Sequence, residues 1–224
     1  MGGMINTKIE RPDKKIIEKF NKFPTAIISD CLNRMNVMRS AIKPLLPDCK
    51  IAGPAITVQA MPGCNMMTHK ALYLAKKGDI IVIDGRGHTE TAIWGGVQTL
   101  AAHLRGIAGI VVDGAIRDIE DVFKYRFPVF CRAVTCAGPH KGWLDNLNMP
   151  ISCGGVSVAP GDIIIGDSDG VCVVPKNMAL SILRQTADRV KMEAEWIKKV
   201  KRGVPTTEFL GLDKKIKECG IRIK

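Results

Sequence analysis

The sequence predicts an α/β protein with a helical arm at its C-terminal end, and three observations carry that reading. First, two short continuous apolar runs, IIVIDG at 80–85 and IAGIVV at 107–112, flank a helix-length segment at 92–105. Runs of this kind are strands buried on both faces, and the alternation is that of a βαβ unit. Second, residues 127–174 break into four short apolar stretches divided by Gly, Pro and Asp, with no room for helices between them, a pattern of mixed or antiparallel pairing. Third, Leu183, Ala187, Val190, Ala194 and Ile197 recur at helical spacing between Asn177 and about Val200. These features divide the chain into a core over 1–176 and an arm over 177–224.

In order, a short helix is expected to begin near Pro12, where proline fits a first turn. A second covers 24–34, and extended chain with turns follows as far as Pro47. IAGPAITVQA at 51–60 reads as a strand interrupted at Gly53-Pro54, with Pro54 calling for an edge or a bulge. A helix is expected over 66–76, stopped at Gly78. The two buried strands enclose the helix at 92–105. The second half adds PVFCRAVTC, ISCGGVSVAP, DIIIGD and GVCVVP, with PGD at 160–162 and DSDG at 167–170 as turns. The arm's apolar stripe must be covered, either by its own core or by a neighbouring subunit.

Composition narrows the function. At 224 residues with 46% hydrophobic content, the chain suits a packed globular core. No stretch approaches eighteen uninterrupted apolar residues, and the first fifteen lack the apolar core of a secretory signal, so a cytoplasmic protein without a membrane partner is expected. The net charge is +11, and twelve Lys/Arg against six Asp/Glu in 184–224 place six of that excess in the arm. No aromatic residue interleaves the arm's KKVKR run at 198–202 as a nucleic-acid stacking platform requires, so attraction of small anions is the better use for these charges. The eight cysteines contain no CxxC pair and read as small buried hydrophobes.

The chemistry is expected in WGGVQTLAAHLRGIAGIVVDGAIRDIED, Trp94 to Asp121. Gly95 and Gly96 precede a helix, and Arg117 and Asp118 follow the next strand, so a parallel crossover brings free helix-start N–H groups near a charged pair. Asp118 offers a hard oxygen ligand for Mg²⁺ or Mn²⁺, and Arg117 can hold a carboxylate or an oxyanion. Neighbours on a regular strand point oppositely, so a shared role requires a turn or helix start within Gly114–Asp118. Otherwise the pair is a surface salt bridge, or Asp118 a helix N-terminal acid. Backbone N–H groups across Gly95, Gly96, Val97 and Gln98 suit a carboxylate or phosphate. His69 and the GRGH loop at His88 are secondary candidates. No HExxH, GxSxG or dinucleotide fingerprint is present.

Four segments resemble the family of the regulator of ribonuclease activity A and the class II 4-hydroxy-4-methyl-2-oxoglutarate (4-carboxy-4-hydroxy-2-oxoadipate) aldolases, over about residues 22–200. They are HKALYLAKKGDIIVIDG, Gly96 followed after twenty residues by Arg117-Asp118 and then Asp121, PVFCRAVTCAGP, and GGVSVAPGDIIIGDSDGVCVVP. The resemblance implies an α/β/β sandwich of the swivelling-domain type, assembled as a trimer or a dimer of trimers with sites between subunits. It implies a lyase acting on a small anionic 2-oxo acid with Mg²⁺ or Mn²⁺, by retro-aldol cleavage or by oxaloacetate decarboxylation. A non-catalytic regulator that binds a ribonuclease is the alternative. Carried over, Asp118 ligates the metal, Arg117 binds the substrate oxygen, and the Gly95–Gln98 amides hold its carboxylate. Glu193 of the arm is the best match for a glutamate offered to a neighbouring site, with Glu195 second. Resembling aldolases often carry aspartate where this chain has Gly96, and Asp121 is the nearest replacement for that carboxylate.

Overall fold

The computed structural model describes residues 3–221, so the ends of both segments predicted above lie partly outside it. Helices α1 (Lys14–Phe20) and α2 (Thr25–Cys31) precede strands β1 (Lys43–Pro44) and β2 (Ile51–Gln59). Then come α3 (Met66–Leu74), β3 (Ile80–Ala92), α4 (Gly96–Leu104), β4 (Gly109–Ile116), α5 (Ile119–Lys124) and β5 (Val129–Val134). The chain continues through β6 (Ile151–Cys153), β7 (Val156–Val158), β8 (Ile163–Asp167) and β9 (Gly170–Val174). It closes with α6 (Ala179–Lys201), α7 (Thr206–Phe209) and α8 (Leu212–Glu218).

Seven strands form one sheet in the order β1-β5-β4-β3-β2-β8-β9, and β6 pairs with β7 apart from it. The four central strands β2 to β5 are parallel, as the buried apolar runs require. Beyond them, β8 and β9 continue antiparallel from β2. The edge strands β1 and β9 meet, so the sheet curls almost into a closed barrel. One face packs α3, α4 and α5 through residues such as Ile83, Trp94, Ile110 and Val112. The other face is covered by the β6–β7 hairpin through Val82, Val111, Phe130, Cys153 and Val158. This is the expected α/β/β layering, and five of the eight cysteines are buried within it.

Two local expectations change. Strand β2 is continuous through Gly53-Pro54 and lies inside the sheet. Its first half, Ile51–Pro54, pairs with β8, and its second half, from Ala55, pairs with β3. Pro54 sits where the partners change, so its missing N–H interrupts neither ladder. Strand β3 runs seven residues past the predicted end, so His88 belongs to a strand rather than a loop. Register shifts between Ile83 and His88 and again before Ala92 absorb the extra residues. Gly-Arg-Gly looks like a turn in sequence because bulges use the same residue types.

The arm divides in two. Ala179, Ile182, Leu183 and Thr186 are buried, and this first half of α6 packs on α1 and α2. Further along, Ile197 and Val200 are 55% and 50% exposed. The predicted stripe is thus covered by its own chain only at its start.

Candidate active site

Because β3 and β4 are parallel neighbours, the start of α4 and the end of β4 lie side by side at the carboxyl edge of the sheet. Trp94, 1% exposed, anchors this corner, and its indole N–H donates to Thr99 Oγ1 at 2.9 Å. Thr99 returns its backbone N–H and its hydroxyl to the Gly95 carbonyl, each at 3.0 Å. The turn into α4 is therefore fixed before any ligand arrives. The Trp94 carbonyl accepts the Arg117 N–H at 3.0 Å, which ties the two segments together.

Asp118 supplies the turn that a shared role for the charged pair requires. It adopts a left-handed conformation, φ 58° and ψ 47°, as the residue before α5. Aspartate tolerates that region better than most side chains, and the reversal aims both residues at one cavity. Arg117 Nε stands 3.5 Å from Asp118 Oδ2. The Gly96 N–H donates to the same oxygen at 2.9 Å. Both side chains are nearly half exposed, so the pair adds little to stability and leaves polar atoms free.

The cavity holds about 270 Å³ and is lined by Trp94 to Gln98, Arg117 and Asp118 on one side. Asn65, His69, Gly138, Pro139 and Lys141 form the other. With the Gly96 amide taken by Asp118, the N–H groups of Val97 and Gln98 remain without partners among the described residues, as first-turn donors do. Only the backbone of Gln98 faces a ligand in this way. Its side chain is buried, donating to Thr68 Oγ1 at 2.6 Å and accepting from Asn65 Nδ2 at 3.3 Å. Asn65 Nδ2 also lies 3.2 Å from His69 Nε2. Burial, and then the charge of Lys141, lowers the His69 pKa below its ordinary value, which keeps the ring neutral at pH 7.

Gly96 is glycine for a reason of space. A Cβ there would collide with Asp121 Oδ2 and come within 3.2 Å of the Asp118 Cβ. The Asp121 carboxylate thus borders the place a side chain at 96 would fill, although it does not line the cavity. A Cβ on Gly95 would meet Asp118 Oδ2 at 2.7 Å. Glu193 is elsewhere in this chain: on α6 it accepts from Arg189 Nε at 3.2 Å, and that arginine also reaches Asp30 at 3.1 Å. Sequence reasoning missed Asn65, Gly138 and Pro139, because loops distant in sequence bring them to the cavity. Lys141 arrives the same way, since His140 N–H bonds the Gly63 carbonyl at 2.7 Å.

Across one cavity of an α/β/β fold, helix-start amides therefore face an arginine and an aspartate. The chain belongs to the RraA-like family, described as Aldolase/RraA, whose model matches residues 25–173. It is 47% identical over 169 residues to a putative 4-hydroxy-4-methyl-2-oxoglutarate aldolase of Halalkalibacterium halodurans, covering 75% of this chain and 80% of that one. It is 28% identical to a 4-hydroxy-4-methyl-2-oxoglutarate aldolase of Thermus thermophilus, covering 68% and 92%. Among solved structures, it resembles Streptomyces coelicolor RraAS2, an unusual member of the RNase ES inhibitor RraA family. That likeness has a TM-score of 0.75 at 29% identity and covers 84% and 98% of the two chains. Within the described residues no helix is long and apolar enough to cross a membrane.

Proposed function

We propose that this chain is a divalent-metal-dependent lyase that releases pyruvate from 2-oxo acids, by retro-aldol cleavage of a 4-hydroxy-4-methyl-2-oxoglutarate-like substrate or by decarboxylation of oxaloacetate. The observation that carries the reading is the convergence of Arg117, Asp118 and the Val97 and Gln98 amides on one cavity. The relatives named as aldolases support the same class.

The donor set suits Mg²⁺ or Mn²⁺. Such ions keep several waters and take one or two carboxylates plus substrate oxygens, and Asp118 has one carboxylate oxygen not engaged by Gly96. Bound there, the ion supplies Lewis acidity toward the 2-oxo oxygen. The protein's own groups do the rest. Amide N–H groups of Val97 and Gln98 hold the C1 carboxylate at the positive end of α4. Arg117 donates to the 2-oxo oxygen, where negative charge grows as the C3–C4 bond breaks, and so favours the enolate over the ground state. Lys141 faces this pair from the opposite wall and receives a second carboxylate, which favours dicarboxylic over monocarboxylic 2-oxo acids.

Asp121, just outside the cavity lining, stands in place of the aspartate that resembling aldolases carry at position 96, and accepts and returns the proton through an intervening water. The geometry gives this a sharp expectation. Gly96→Asp alone should lower pyruvate release about tenfold or more, because the new side chain meets Asp121. Gly96→Asp with Asp121→Gly should recover most of it, read as steady-state kcat. A double variant no better than the single would assign Asp121 no such role.

Glu193 enters this scheme only across a subunit boundary, in a trimer or dimer of trimers in which the exposed second half of α6 is covered by a neighbour. A second reading, a non-catalytic regulator of a ribonuclease, is favoured by glycine at 96 and by the likeness to RraAS2. One experiment separates them. Purified protein is given a panel of mono- and dicarboxylic 2-oxo acids with Mg²⁺ or Mn²⁺, with and without chelator. Chelator-sensitive pyruvate release supports the lyase, whereas no release from any substrate supports the regulator.

A further inference from the structure

A second cavity, about 550 Å³, opens on the face of the sheet opposite α3 to α5 and shares no residue with the one described above. Three neighbouring strands build it. Ile83, Val112 and Cys131 of β3, β4 and β5 point into the helix layer. Strand alternation therefore turns the next residue of each, Asp84, Asp113 and Arg132, to the hairpin side. All three line the cavity, at the carboxyl ends of parallel strands, where α/β sheets bind ligands. Charged side chains in such a row are costly unless something uses them.

Packing accounts for only part of the row. Asp113, 5% exposed, accepts from Arg132 Nε through one oxygen and from the Gly154 N–H at 2.7 Å through the other. That pins the β6–β7 hairpin to the sheet and engages Arg132 through Nε, while its terminal nitrogens have no hydrogen-bond partner among the described residues. Arg86 is paired at 3.0 Å with Asp145, which lies outside the lining. Arg39, exposed at the rim, has no acid partner among the described residues. Asp84 accepts the Arg86 N–H, and burial foremost, with neighbouring Asp113 also contributing, raises its pKa, which softens the one lining carboxylate that no side-chain ion pair offsets.

We propose that Arg39, Arg86 and Arg132 form a second small-molecule site that takes a phosphoryl dianion. A planar carboxylate fills one guanidinium fork, whereas a tetrahedral oxyanion can accept from forks converging from three strands and loops. The cavity is within the size range of small-molecule sites and leaves room for the carbon skeleton of a phosphate monoester beside the phosphoryl group.

Titration calorimetry on the full chain, at fixed ionic strength, tests this with inorganic phosphate, glycerol 3-phosphate and succinate. Saturable binding of one of the two phosphates is expected, about tenfold or more weaker in Arg39→Gln and in Arg86→Gln, and unchanged in Arg117→Gln. Both substituted arginines are exposed, so the fold should survive, and Arg132 is left in place because it neutralises buried Asp113. Tighter binding of the monoester identifies an esterified ligand, and tighter binding of the free ion identifies phosphate itself. The assignment is overturned by absence of saturable phosphate binding, by succinate binding that Arg39→Gln and Arg86→Gln weaken as much as they weaken phosphate binding, or by both variants binding phosphate like the parent. Loss of binding in Arg117→Gln would instead move the anion to the first cavity.

Discussion

Arg117→Ala is expected to lower kcat for pyruvate release by about a thousandfold, on the order of 4 kcal/mol of transition-state stabilisation. The proposed enolate places full charge on an oxygen that is only polarised in the substrate, so a donor aimed at it acts mainly on the barrier. KM should move far less, because the α4 amides and Lys141 still hold the carboxylates. Arg117→Lys should recover little, since a point charge does not reproduce a planar fork held between Gly95 and Gly138. The side chain is 42% exposed, so the melting temperature should be nearly unchanged. A kcat within threefold of the parent, with an intact fold, would refute the role.

Asp118→Asn is the second large effect. The amide oxygen can still accept from the Gly96 N–H and keep the turn into α5, so the geometry survives while the negative charge is lost. Mn²⁺ affinity, measured without substrate by calorimetry or electron paramagnetic resonance, is expected to fall about a hundredfold or more, and pyruvate release with it. Asp118→Ala should add a structural defect, because it also frees the Gly96 amide and leaves a left-handed alanine. Unchanged metal affinity in Asp118→Asn would remove this carboxylate from any metal site.

The contrast between these two variants shows why the site was only half legible in the sequence. Paired glycines before a helix, and an arginine–aspartate step after a buried strand, announce chemistry through residue type and spacing alone. Whether adjacent side chains share a cavity depends on one backbone torsion, and nothing in DGAIRD fixes Asp118 as left-handed rather than extended. Gly96 reads as an amide donor at a helix start until its missing side chain is seen to be the space beside Asp121.

The sequence by itself determined the parallel core, the helix between its two central strands and the long arm, because burial on two faces and helical periodicity are properties of local residue order. Only the tertiary structure decided that Pro54 lies inside the sheet, that β3 bulges past Gly85, and that Asn65, His69 and Lys141 face Arg117. It also decided that Asp84, Asp113 and Arg132 form a row on the other face. Those facts follow from strand register and loop closure between segments tens of residues apart, and a pairing of that kind leaves no periodic trace in either segment alone.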